Sequence, residues 1–295
     1  MRTPALALLL LTLAVLPAQE TKPAKPPEQT TLEARGFVVT KQGNTTNIDA
    51  PGNLAPNKRF GGATLAEIDP ENNPIDLALR ANELFRTQPK FAYQLMLVAT
   101  MRATFDMERV TDLTAHQAWS YVAGQPALNR ILSWGRLSPQ VSRTESDEVL
   151  QWAAKAGPPT YHPAWMIQHG MAVMKAGLDG TAPPAPLKAG FAPGEAWQVV
   201  LAKMTTMIAN PAYWEKRQAA ATPEGLRTRL EQLKTQLTEA LRTRPTPETR
   251  QAEQALAALA ASFDEKHPDI ALHFIMLAEE MNTRFRAAVS PPKAK

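Results

Sequence analysis

The chain has 295 residues, with 32 basic against 28 acidic side chains, a formal net charge of +4, and 44% hydrophobic and 20% charged residues, a globular composition. Its basic residues alternate with acids, as in LRTRLEQLKTQLTEALRTR, and form no stripe, which speaks against a nucleic-acid partner. Cysteine is absent, so disulfide stapling, thiol nucleophiles and lipid attachment to a cysteine are excluded, and stability must come from packing.

Residues 1–18, MRTPALALLLLTLAVLPA, carry one basic residue followed by an apolar run from Ala5 to Leu16. That run is too short for a membrane-spanning helix, which needs roughly 20 residues, and reads as a secretory signal. Cleavage after Ala18 removes Arg2 and lowers the formal charge from +4 to +3. The mature protein is therefore expected to be exported, periplasmic or secreted, with no transmembrane segment.

Residues 19–63 are rich in Pro, Thr and Asn and read as a flexible tether, because TKPAKPPEQTT buries too little apolar area to offset its ordering entropy. Within it, GFVVTKQGNTTNI has the pattern of a short β-hairpin, Phe37–Thr40 against Thr45–Ile48 around QGN. Two strands alone are marginal, so this hairpin must lie against the helical body.

Residues 64–177 read as an N-terminal helical subdomain. The 26 prolines are about 9% of the chain, against a usual level near 5%, and must sit at helix boundaries. PIDLALRANELF places Ile75, Leu79, Asn82 and Phe85 on one side, with Pro74 in the first turn. PKFAYQLMLVATMRATF is apolar nearly all round, as suits a helix enclosed by others. Three shorter helices follow, each ending near a glycine suited to a left-handed cap. Glu145, Asp147 and Glu148 after Thr144 read as a capped, acid-rich helix start. Most tryptophans read as core anchors, and a tryptophan-lined groove is the alternative.

Residues 178–193 form a Pro/Gly-rich loop that no helix can cross. Residues 194–289 read as a C-terminal helical subdomain and 290–295 as a disordered tail. Thr222-Pro223-Glu224 and Thr246-Pro247-Glu248 each combine a hydroxyl cap, a first-turn proline and an acid, and His267-Pro268-Asp269 opens a third segment similarly. The stripe Leu226, Leu230, Leu233, Leu237, Leu241 and two others then predict three helices packed up-down-up. The expected fold is all-α: a multi-helix array with a C-terminal three-helix bundle behind a disordered tether. One continuous array is the alternative to two subdomains.

The stretch YHPAWMIQHGMAVM concentrates two histidines and three methionines. Read as one helix starting near Pro163, it holds His162 and His169 about 10 Å apart along the axis, too far to share one zinc. Met166 and His169, three residues apart, have the spacing to offer a thioether and an imidazole to copper or haem iron. The competing reading, which the surrounding apolar residues favour, makes Met166 core filling and His169 a buried histidine with a hydrogen-bond partner. No catalytic motif and no cofactor signature is present in the sequence. The preferred functional reading is an exported binding or scaffolding protein of the cell envelope, with Trp165 and His169 as candidate interaction residues. Its partner would be an envelope protein, peptide or glycan. The alternatives are an enzyme on envelope polymers, with Glu279 or Glu148 as proton donor, and a copper or haem carrier.

Overall fold

Proline decides where the helices begin. Its fixed φ suits the first helical turn, where its missing N–H costs nothing, and seven of the ten helices among the described residues start on one. These are α1 (Pro74–Leu84), α2 (Pro89–Arg109), α4 (Pro126–Leu137), α5 (Pro139–Ala156), α8 (Pro193–Ala209), α9 (Pro211–Ala220) and α10 (Pro223–Thr243). The others are α3 (Gln117–Ala123), the single turn α6 (Ala164–Ile167) and α7 (Met171–Asp179). The computed structural model describes residues 33–34, 36–42, 45–220 and 222–243, with single helical positions at 250, 253, 254 and 257. The second and third helices expected in a C-terminal bundle lie otherwise outside the described residues. At the start of α10, Thr222 Oγ1 accepts the Gly225 amide at 3.1 Å.

Helix α2, about 30 Å long, is the axis of the body, and α1, α4, α5 and α8 all pack on it. Ala92, Leu95, Met96, Val98, Ala99 and Phe105 are fully buried, as an all-round apolar helix requires. Trp197, Val200 and Leu201 of α8 belong to the same core as these residues, so the described part of the segment after the Pro/Gly-rich loop shares one core with the segment before it.

On α1 the buried face is Leu77, Ala78, Ala81 and Leu84 with Ile75, while Leu79 is 52% exposed. The face expected from Ile75, Leu79 and Phe85 is therefore rotated. The cause lies at the helix start: Asn73 caps the Ile75 and Asp76 amides at 2.9 and 3.0 Å, and Asp76 accepts the Asn73 amide at 2.7 Å. Asp76 also takes the Lys58 amide on both oxygens at 3.1 and 3.0 Å, which turns its side of the helix inward.

That contact belongs to a polar clasp around residues 53–80. Asn73 Nδ2 donates to Ala55 O at 2.9 Å and Asn72 Nδ2 to Lys58 O at 2.7 Å. Arg80 reaches Gly61 O and Gly62 O, each at 3.3 Å. Buried Arg102 on α2 donates to Asp69 O and Asn72 O. Residues 50–63, read from composition as tether, therefore lie against the helices, with Phe60 in the core. Composition weighs side-chain burial and misses backbone groups satisfied by asparagine, aspartate and arginine side chains.

The hairpin pairs β1 (Val38–Gln42) with β2 (Thr45–Asp49), antiparallel, with Val38 opposite Asp49 and Gln42 opposite Thr45. It docks through Phe37 and Ala50 onto Val173 and Met174 of α7. Gly177 makes this possible: a Cβ there would lie 2.0 Å from the Phe37 ring.

Helix α5 starts at Pro139, not after Thr144, so the acid-rich stretch is mid-helix. The YHPAWMIQHGMAVM stretch is likewise not one helix. Gly170 is extended at φ −75° and ψ 147°, separating α6 from α7. A remote loop supplies the caps of α7: Asp112 Oδ2 accepts the Ala172 amide at 2.9 Å and Thr114 Oγ1 the Met171 amide at 2.8 Å. Burial pushes the Asp112 pKa up, but donation from the Thr114 hydroxyl and from the amides of Ala172, Thr114 and Ala115 leaves it below its ordinary value. Among the described residues no helix is long and apolar enough to cross a membrane.

Gly177→Ala should displace Phe37, cost about 1–3 kcal/mol as an overpacking change, and accelerate amide exchange in residues 38–49 by hydrogen–deuterium mass spectrometry. Unchanged exchange there would show that the hairpin does not depend on this contact. Because the folded pKa of Asp112 is depressed, its contribution to stability is present above the unfolded value of about 3.9 and lost as pH falls through the folded one. Ala172 and Met171 amide resonances should follow that titration in NMR spectra.

Candidate functional site

The C-terminal end of α2 carries a buried charged pair, Asp106 and Arg109, one turn beyond buried Arg102. Asp106 is fully buried. Its Oδ1 accepts Arg109 Nε at 2.9 Å and Nη2 at 2.6 Å, and its Oδ2 accepts Tyr161 Oη at 2.9 Å and Trp165 Nε1 at 2.7 Å. Burial raises the Asp106 pKa above its ordinary value, and Arg109, Trp165 and Tyr161 draw it back only in part, so the hydrogen-bond geometry decides its charge state. With four donors on two oxygens there is no room for a proton, and the group is a carboxylate. Burial and the adjoining carboxylate push the Tyr161 hydroxyl well above its ordinary value, so it stays a donor.

Arg109 is 8% exposed and held on every side but one. Its Nη2 also donates to Tyr161 O at 2.9 Å. Its guanidinium lies 5.0 Å from the Phe105 ring centroid and 5.1 Å from that of Tyr161, which fixes its plane. Among the described residues Nη1 has no hydrogen-bond partner, and Arg109 lines a cleft of about 520 Å³.

The cleft exists because the Pro/Gly-rich loop folds back along the end of α2. Val110 and Leu187 form an antiparallel bridge. Thr111 N donates to Pro186 O at 3.0 Å and Lys188 N to Arg109 O at 2.9 Å. This brings Lys188 and Phe191 into the lining of one cleft with Arg109, Pro158 and Pro159. The Phe191 ring meets Phe105 edge-on at 5.5 Å, and Trp197 meets the same ring at 5.7 Å while donating to Ala153 O at 3.1 Å. Thr160, also in the lining, has its hydroxyl on Glu71. Partial burial and the Arg109 charge hold neighbouring His162 below its ordinary pKa, so it is neutral at pH 7. The cations of the cleft are Arg109 and Lys188.

A second hollow, about 270 Å³, lies between Leu113, Ile167 and the prolines 183, 184 and 186. The one charged residue among its described lining is Asp112, which is engaged in capping α7.

The residues singled out in the sequence fall elsewhere. Trp165 is 1% exposed, its indole directed at Asp106, and presents no surface to a partner. Met166 is fully buried in the main core. His169 is half-buried, with Nδ1 at 3.1 Å from Asn53 Oδ1 and its ring 6.0 Å from that of Tyr121. Asn53 donates its amide nitrogen to Asp49 at 3.0 Å, so its oxygen faces His169 and Nδ1 carries the hydrogen. Burial holds the His169 pKa below its ordinary value. Glu148 shares the Gln94 amide, at 2.8 Å, with Glu145, at 2.5 Å, and neither acid lines the cleft. Burial first and Glu148 second push Glu145 above its ordinary pKa. Glu279 lies outside the described residues. Among those residues no group of three or more His, Asp or Glu side chains is placed to hold a metal.

Arg109, Lys188 and Phe191 went unnoticed in the sequence. The three-residue spacing of Asp106 and Arg109 on one helix face allows them to pair, but the exposed pairs Lys234–Glu231 and Arg242–Glu239 share that spacing, so it did not mark this pair as buried. Comparison with protein-family models, curated proteins and solved structures gives no match.

Asp106→Ala should destabilise the fold by about 3–5 kcal/mol, because it leaves Arg109 buried without its counter-ion. Urea titration followed by tryptophan fluorescence measures this, and a loss under 1 kcal/mol would show that the pair is dispensable.

Proposed function

We propose that this chain is an exported, non-enzymatic binding protein of the cell envelope and that the cleft over Arg109 is its ligand site. The observation that carries the reading is a nine-tenths-buried arginine with two hydrogen-bond donors unspent, facing a cleft of ligand size. Arg109 Nη1 stays open to solvent, and a ligand acceptor there exchanges water for a charge-assisted bond from a preorganised donor. The cleft is built to hold something in place. Its walls are phenylalanine and proline, its polar groups are cations and one engaged hydroxyl, and among its described lining there is no carboxylate or imidazole to move a proton. Export rests on the leader at residues 1–18.

Two measurements test the proposal. The protein recovered from periplasm or medium should have the mass of a chain beginning at Gln19; retention of the full-length chain in the cytoplasm would refute export. Natively purified protein, once denatured, should release a small molecule or peptide detectable by mass spectrometry. Phe191→Ala, which removes an aromatic wall of the cleft, should retain about tenfold less of it. Equal release from the variant would move the site elsewhere.

A further inference from the structure

We infer that the cleft selects a ligand bearing a single carboxylate beside a flat apolar ring, with the carboxylate on Arg109 Nη1 and the ring among Phe191, Leu187 and the prolines at 158 and 159. This deepens the reading of the cleft as a binding site and rests on it.

The argument for an anion starts from the donors. Of the five N–H groups of Arg109, three are engaged, by Asp106 Oδ1 and Tyr161 O. Both hydrogens on Nη1 remain, and the flanking Phe105 and Tyr161 rings hold the guanidinium in its plane before any ligand arrives. A preorganised charged donor favours an anionic oxygen over a neutral one.

The argument for a monoanion comes from charge. The two cations of the described lining, Arg109 and Lys188, stand against two carboxylates bonded to it, Asp106 at 2.6 Å from Arg109 and Glu71 on the Thr160 hydroxyl. His162 is neutral, and Glu108, whose pKa both Lys203 and Lys188 depress, is tied to Lys203 at 2.7 Å. With so little surplus positive charge, the site suits a monoanion held by the directed Nη1 donors and undercompensates a phosphate dianion. The argument for the ring comes from the lining: Phe191, in edge contact with Phe105, shares the cleft with Leu187 and two consecutive prolines, apolar surroundings that suit an aromatic ring.

A free aromatic acid and the C-terminal residue of a peptide share this chemistry. Isothermal titration of the full mature chain with phenylacetate and with the tripeptide Ala-Ala-Phe, each as acid and as carboxamide, separates them. At least one acid should bind, its carboxamide about tenfold more weakly or not at all, and inorganic phosphate at the same concentration should not displace it. Tighter binding of the tripeptide assigns the carboxylate to a peptide C-terminus, and tighter binding of phenylacetate to a free acid. Lys188→Glu, a change on the exposed rim, should weaken the acid by about tenfold. Equal affinity for acid and carboxamide, effective displacement by phosphate, or full affinity in Lys188→Glu would each overturn the inference while leaving the cleft as a neutral or differently charged site. Binding by none of the four probes overturns it as well, and ligand release from native protein then decides the cleft reading separately.

Discussion

Asp106 sits at zero exposure with four donors converging on its two oxygens, and the tertiary arrangement around α2 follows from satisfying it. An ionised carboxylate in a core is tolerable only when every acceptor direction is filled. Two of the donors come from Tyr161 and Trp165, so the segment between α5 and α7 is drawn against the end of α2. The other two come from Arg109, whose orientation is thereby settled. A buried ion pair of this kind contributes little net stability compared with an apolar replacement. Its consequence is positional: one arrangement of chain satisfies it, and that arrangement leaves a guanidinium edge facing the cleft.

The second constraint is on irregular backbone. Residues 50–63 and 181–192 contain little regular structure, yet both are held against the helices by bonds to their main chain. In the first, Asn72, Asn73, Asp76 and Arg80 contact the backbone of residues 55–62. In the second, the backbone at 111, 186 and 188 and the carbonyl of Arg109 form a short ladder. The cleft needs both the rigid end of α2 and this ladder. The ladder holds Lys188 beside Arg109, and the edge contact with Phe105 holds Phe191.

Much of the helical framework was legible in the sequence because its signals are local. The prolines at 74, 89, 126 and 223 start helices where backbone geometry permits them, and the apolar run from Phe91 is enclosed as its composition demands. The misreadings also have physical causes. Thr144 and the acids after it look like a helix start, but Pro139 opens the helix five residues earlier, and Glu145 is buried against Gln94. The stretch from Tyr161 to Met174 reads as one helix until Asp112 and Thr114, more than fifty positions away, cap a new helix at Gly170. Trp165 is buried and His169 half-buried, and neither is among the described lining of the cleft, which includes an arginine, a lysine and a phenylalanine.

The sequence by itself determined that the described chain is mostly helical, where many of its helices start, and that a short hairpin pairs the segments around 37–40 and 45–48. Each of these depends on φ restriction, capping or side-chain periodicity within a few positions. Only the tertiary structure decided which polar groups are buried and what faces the cleft. Asp106 meets Tyr161 across 55 positions and Trp165 across 59, and the cost of removing a charge from water is set by neighbours that distant in the chain.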